Sequence, residues 1–297
     1  MKKKLVSLFL AALLALPAAG ALGEAVSVTD MTGREIALPA PATRIVALTA
    51  SDCEILCALG AEDALVGRGE YCDYPPSIVD VPVVQSGAET NVEQIIALSP
   101  QVVLTATMAQ TVQHVEMLEA AGIKAAVSKA EDVEGVYASI RLIGALTGRN
   151  DQAEALIAGM RATFAGVSAR SENSGKTVYF EVSPLAWGLW TAGSGTFMDE
   201  LATMCGLTNA FADLSGWAEI SEEQVLERDP DYIVTITMTS ADGPDPVDEI
   251  KARAGWETLK AVRNNAILLM DSDQISRPGP RLKDAALALC DFVGASK

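Results

Sequence analysis

The sequence predicts an α/β protein of two similar lobes, each with a parallel-type sheet, joined by one long helix. Three observations carry that expectation. Short apolar runs alternate with helical segments along the chain. The segment Asn91-Val92-Glu93-Gln94-Ile95-Ile96-Ala97-Leu98-Ser99-Pro100 recurs 130 positions later as Ser221-Glu222-Glu223-Gln224-Val225-Leu226-Glu227-Arg228-Asp229-Pro230. Each copy runs into an apolar strand, Val102-Val103-Leu104 in one case and Ile233-Val234 in the other. Between them Leu156, Ile157, Met160, Phe164 and Val167 mark one face of a helix ending near Ser171, which at roughly 20 residues spans about 30 Å.

The elements follow in order. Lys2 to Lys4, the apolar run Leu5 to Leu16 and the small residues after Pro17 have the layout of a cleaved export leader over residues 1–23. The apolar run is too short to span a bilayer, and no cysteine near the cleavage region offers a lipid anchor. A periplasmic protein is expected, with free secretion as the alternative. Ser27 to Leu38 reads as a hairpin turning near Asp30-Met31-Thr32-Gly33. Arg44 to Leu48 reads as a buried strand. Ser51-Asp52-Cys53-Glu54 has the spacing of a capping box, starting a helix that stops at Gly60. Leu65 to Gly67, Val102 to Ala106 and Ile123 to Val127 continue the strands, separated by helices. Val133, Val136, Tyr137, Ile140 and Ile143 form a helical stripe up to Gly148. The N-terminal lobe is therefore placed at 24–149, the connecting helix at 150–172 and the C-terminal lobe at 173–297. That lobe holds strands at Thr177 to Val182, Tyr232 to Thr237 and Ala266 to Met270, then a helix from Leu282 to Val293. Alternation of this kind requires crossover connections, hence parallel sheets covered on both faces. A helical connector is stiff, so lobe movement is expected to be small.

Composition narrows the partners. The formal charge is −17, and becomes −20 once Lys2, Lys3 and Lys4 leave with the leader. That balance argues against nucleic acid and anionic membranes and favours a locally basic partner. The five cysteines, Cys53, Cys57, Cys72, Cys205 and Cys290, contain no Cys-x-x-Cys pair, so no structural zinc site is expected. Export permits a disulfide, and the odd count leaves at least one thiol over. Cys53 and Cys57, four apart on a helix, read as small core residues. The sole histidine, His114, reads as a surface residue.

In both copies of the repeat the glutamate stands in the first helical turn, where the dipole favours it by roughly 0.3–1 kcal/mol. That explains one such residue. Two on matching lobes also suit a pair of acidic prongs for arginines on a two-fold symmetric partner. Arg277 and Arg281 flank a proline–glycine turn. They read either as anion anchors or as members of an internal ion pair.

Four stretches together resemble the substrate-binding proteins of ABC importers for iron chelates and vitamin B12. They are Tyr71-Cys72-Asp73-Tyr74-Pro75-Pro76, Asn91 to Leu104, Ser221 to Val234, and Arg277-Pro278-Gly279-Pro280-Arg281. Each is weak alone; in this order and spacing they are fairly specific, and the likeness runs from about Arg44 to Phe292. The resemblance implies two Rossmann-like lobes bridged by one helix (the class III architecture) with a ligand in the cleft between them. It implies that Glu93 and Glu223 dock onto arginines of a dimeric permease that works with an ATPase. Likeness to the cobalamin-binding member of the family implies cleft roles for Tyr71, Trp190 and Trp217, and a disulfide between Cys205 and Cys290. One departure stands out: a first-lobe cleft tryptophan of that member falls near Gly87 here. Trp187 and Trp256 are expected in the core.

The implied protein is a monomer with no intrinsic cofactor, no catalytic residues and no resident metal. It carries cobalamin, another corrinoid or a ferric siderophore as cargo, with Arg277 and Arg281 holding anionic groups of it. Haem is the alternative cargo, with His114 or Tyr71 as a test of axial ligation. An exported tetrapyrrole enzyme such as a metal chelatase is the rival of a different class. A single histidine and no triad order count against it.

Overall fold

The computed structural model describes residues 24–106, 111–236 and 245–295. The expected leader lies outside them, as do Met108 to Gln110 and Thr237. The N-terminal lobe opens with an antiparallel hairpin, β1 (Val26–Thr29) and β2 (Glu35–Leu38), where Asp30 accepts from the backbone of Thr32 and Arg34 to hold the turn. Then come β3 (Ile45–Ala47), α1 (Ala50–Ala58), β4 (Leu65–Gly69), β5 (Val83–Val84) and α2 (Val92–Ala97). β6 (Val102–Thr105), α3 (Thr111–Ala120), β7 (Lys124–Val127) and α4 (Val133–Thr147) complete it. The sheet order is β5-β4-β3-β6-β7, parallel throughout. Every residue of β3 is buried, as a sheet covered on both faces demands.

α5 (Asn150–Arg170) is the long connector. Ala153, Ile157, Met160, Phe164 and Val167 are its buried face, at the alternating spacing of four and three that keeps one stripe turned inward. Leu156, expected in that stripe, is only partly buried. The stripe packs into one continuous core that draws on both lobes, including Ile140 and Ile143 of α4 and Leu282 and Leu289 near the C-terminus.

The C-terminal lobe runs β8 (Thr177–Glu181), β9 (Leu189–Ala192), α6 (Phe197–Met204), β10 (Thr208–Asn209), β11 (Trp217–Ile220), α7 (Glu222–Arg228) and β12 (Tyr232–Ile236). It closes with α8 (Pro246–Ala252), α9 (Lys260–Arg263), β13 (Ile267–Met270), α10 (Ser272–Ser276) and α11 (Leu282–Ala295). Its parallel sheet is ordered β10-β8-β12-β13, and β9 and β11 form a separate antiparallel ribbon. The sequence gives little sign of that ribbon, because each of its strands is four residues long and lacks clean alternation.

The repeat is structural as well as sequential. α2 leads into β6 beside β3, and α7 leads into β12 beside β8. Even the residue before each proline matches: Ser99 and Asp229 both take left-handed backbone, at φ 47° and 43°. In both sheets the strand order reverses next to the lobe's first strand, so the crevice outside the C-terminal strand ends is where a ligand is favoured.

One local reading is corrected. Thr49, not Ser51, caps α1, its hydroxyl accepting from the Asp52 N–H at 3.3 Å. Glu54 does not reach back to a backbone amide. It turns instead to Arg277 and Arg281 of the other lobe, which a fragment of the sequence cannot reveal.

Candidate functional site

The C-terminal lobe presents aromatic side chains on the β9–β11 ribbon. Trp190 pairs across the ribbon with Glu219, and Trp217 with Ala192, so both indoles lie on one face. They are 39% and 42% exposed. Phe197, buried at the start of α6, backs Trp217 edge-on at 5.5 Å between ring centroids. Trp187, expected in the core, is 66% exposed on the turn before β9; Trp256 is fully buried as expected. The signal for Trp187 is present in its flanks, since Pro184 and Gly188 mark a turn rather than a strand.

The N-terminal lobe offers Tyr71, 76% exposed, on the loop after β4. That loop is held from both sides. Arg68 turns under it and donates to the carbonyls of Cys72, Ile78 and Val79. Arg277 donates to the Tyr71 carbonyl at 3.2 Å. At Gly87, near which the cleft tryptophan of the cobalamin-binding member falls, φ is +91°, and a β-carbon placed there would meet no atom within 4 Å. The backbone, not crowding, disfavours a side chain at that position.

Arg277 and Arg281 are not open anion anchors. Arg277 Nη1 lies 3.1 Å from Glu54 Oε1 and 2.9 Å from Asp73 Oδ1, and its Nη2 lies 2.9 Å from Asp273 Oδ1. Arg281 donates through Nε and Nη2 to both oxygens of Glu54, at 2.9 and 2.6 Å, and stacks on the Tyr74 ring at 4.1 Å. The internal ion-pair reading is the one the structure realises. A second tie joins the lobes: the Glu200 carboxylate of α6 accepts from the Val133 N–H at the start of α4, at 2.7 Å. Arg281, Tyr74 and Leu156 also line an interlobe recess of about 350 Å³.

Glu93 and Glu223 both stand exposed in the first turns of α2 and α7. Asn91 and Ser221 cap these helices by accepting from the Gln94 and Gln224 N–H groups. The two caps differ in one respect. The Gln224 side chain accepts from the Ser221 amide, whereas that of Gln94 accepts from the Gln85 amide. Glu222, beside Glu223, is occupied by the Trp256 indole N–H at 2.9 Å. Glu223 is held below the usual carboxylate range by backbone and Ser221 hydrogen bonds. His114 is half-buried and lines, with Glu93, a surface recess of about 380 Å³.

Cys205 and Cys290 stand as free thiols in this structure. Cys205 Sγ lies 3.5 Å from the Ala286 carbonyl, one turn before Cys290, and Cys290 Sγ lies 3.2 Å from Ser171 Oγ. Burial, and then the neighbouring Cys290, pushes the Cys205 thiol up to about 12. Cys53 and Cys72 form a second buried neighbourhood, both directed at the Ala47 carbonyl, at 3.7 and 3.8 Å. The hydrogen bond between them, with burial, raises the Cys53 thiol. Cys205 and Cys53 are thus poor thiolates and so poor metal ligands. Among the described residues no cluster of three or more His, Cys, Asp or Glu side chains is arranged to hold a metal ion.

Comparison with known proteins agrees with this architecture. A sequence profile described as "Periplasmic binding protein" matches residues 45–274. An uncharacterised ABC transporter substrate-binding lipoprotein of Bacillus subtilis, YvrC, is 30% identical over 275 residues, covering 90% of this chain and 85% of that one. A vitamin B12-binding protein of Salmonella choleraesuis is 26% identical, covering 85% and 90%. A solved structure described as an ABC-type Fe3+-hydroxamate transport system from Saccharomonospora viridis superposes with a TM-score of 0.76 at 26% identity, covering 91% and 99%. With most of its length inside that profile and its two lobes bridged by one helix, the chain belongs to the periplasmic binding protein family, in the branch of iron-chelate and vitamin B12 carriers.

Proposed function

We propose that this protein captures a metal chelate, a corrinoid or a ferric siderophore, between its lobes and delivers it to an ABC permease. The observation that supports this best is the pairing of exposed aromatics, Trp190 and Trp217 on one lobe and Tyr71 on the other, with two matched helix-start glutamates. Tyrosine and tryptophan give broad contact with few torsions to freeze, as a flat or rounded chelate requires. Trp187 joins the set on the same exposure criterion.

Glu93 and Glu223 are the docking points for permease arginines, one per lobe. The interlobe ties at Glu54 and Glu200 limit the lobes to a small rocking motion. Residues 1–23 direct export to the periplasm and are removed there, and Cys205 and Cys290 close a disulfide in that oxidising compartment. The protein acts as a carrier without catalysis. A haem cargo is the second reading, favoured by the exposed phenol of Tyr71.

A thermal-shift panel of cobalamin, cobinamide, haem and ferric siderophores tests the proposal. A ligand at 100 times its Kd stabilises by about 2.7 kcal/mol. Absence of a shift with every member would defeat the chelate reading.

A further inference from the structure

We infer that the cargo is an uncharged or cationic chelate and that the site turns anionic ones away, an inference that rests on the carrier reading above. Arg277 and Arg281 are shared among Glu54, Asp73 and Asp273, so two guanidiniums meet three carboxylates. Glu54 is only 2% exposed and takes three hydrogen bonds from the pair. An incoming carboxylate would have to displace it, leaving a buried charge unpaired.

The other cations near the C-terminal strand ends of the N-terminal lobe are also engaged. Lys129, two residues past β7, lies 3.0 Å from Glu131. Arg68 is buried, and its three nitrogens are taken by backbone carbonyls of the loop beneath Tyr71. A carboxylate, by contrast, does stand beside the aromatics. Glu219 is the direct cross-strand partner of Trp190 and is exposed. The formal charge of −17 adds a field of the same sign.

An anion entering such a site loses hydration without gaining a partner, whereas a neutral chelate avoids that cost and a cation has Glu219 to offset it. Glu219 adds an acceptor for a cationic or N–H-bearing edge of the cargo. Selection by charge would therefore act on chelates of equal size and shape.

Matched pairs separate charge from shape. Binding to the full mature chain is followed by quenching of tryptophan fluorescence with haem against haem dimethyl ester. It is followed likewise with a cationic ferric trihydroxamate, ferrioxamine B, against a ferric tris-catecholate. In at least one pair the less anionic member is expected to bind about tenfold tighter or better. The double substitution D73N/D273N, at two solvent-accessible carboxylates, releases part of Arg277 and is expected to narrow that ratio by raising affinity for the anionic member. Equal or tighter binding of the anionic member in both pairs by the native protein overturns the charge rule and leaves the carrier reading intact. Failure of all four probes, together with no shift in the wider thermal panel, overturns both.

Discussion

Glu54 of α1 and Arg281, 227 positions apart, meet across the lobe boundary through two parallel hydrogen bonds of 2.6 and 2.9 Å. The carboxylate is buried, and the same group also receives Arg277. Replacing Glu54 by Gln removes the close carboxylate of Arg281, whose remaining partner Asp273 lies 4.0 Å away, while Arg277 keeps Asp73 and Asp273. The expected loss is about 3–5 kcal/mol of unfolding free energy, read by urea denaturation. A change below about 0.5 kcal/mol would show that the pair does not hold the lobes together.

Asp52 gives a pH signature. Burial pushes its carboxyl from 3.8 up to about 6, although hydrogen bonds from Thr49 and Ser128 pull the other way. Between those values the folded protein keeps a proton that the unfolded chain has released. The stability contributed by this group is thus complete below about pH 4 and lost as pH rises through 6. The change amounts to about 2–3 kcal/mol. The D52N variant should lack that slope and gain stability at pH 7; parallel pH profiles for both proteins would count against it.

The docking role predicts a separation of functions. Reversing both charges, E93K/E223K, should leave chelate affinity within about twofold of the native value, because both carboxylates are exposed on helix starts and neither belongs to the aromatic set. Uptake through the cognate permease should fall to background. Normal uptake by the double variant removes the proposed role.

For the thiols, exposure to oxidised glutathione should join Cys205 to Cys290 by exchange, releasing two equivalents of reduced glutathione and lowering the mass of the chain by two hydrogens. The chain-entropy relation puts the gain at about 4–5 kcal/mol, less strain. Quantitative alkylation of both residues after that treatment would refute the pairing.

Trp217 is predicted to be a binding residue rather than a structural one. Its indole is half-exposed and touches Phe197 by one edge. W217A should weaken chelate binding by about 1 kcal/mol or more with a small effect on stability. A large stability loss with unchanged affinity would assign it to packing.

Much of the frame is legible in the sequence. The long helix shows through Ile157, Met160, Phe164 and Val167, and the two lobes through the repeat around Glu93 and Glu223. Both signals are local: periodicity and capping act over a few residues, so neighbours in sequence suffice to read them. The β9–β11 ribbon, the exposure of Trp187 and the fate of Arg277 are not legible in the same way. Trp187 and Trp256 are the same residue type with opposite burial, and their surroundings in space are what separate them.

The sequence by itself determined that this chain forms two matched α/β lobes on a stiff connector, each opening a helix with an acidic residue. Hydrophobic spacing and helix capping leave few alternatives at that level. Only the tertiary structure decided that Glu54 neutralises Arg277 and Arg281, that Cys53 lies beside Cys72, and that Glu219 stands next to Trp190. Those pairings join residues far apart along the chain or across a register that strand patterns alone do not specify. Their energies depend on burial and distance, which exist only once the chain has folded.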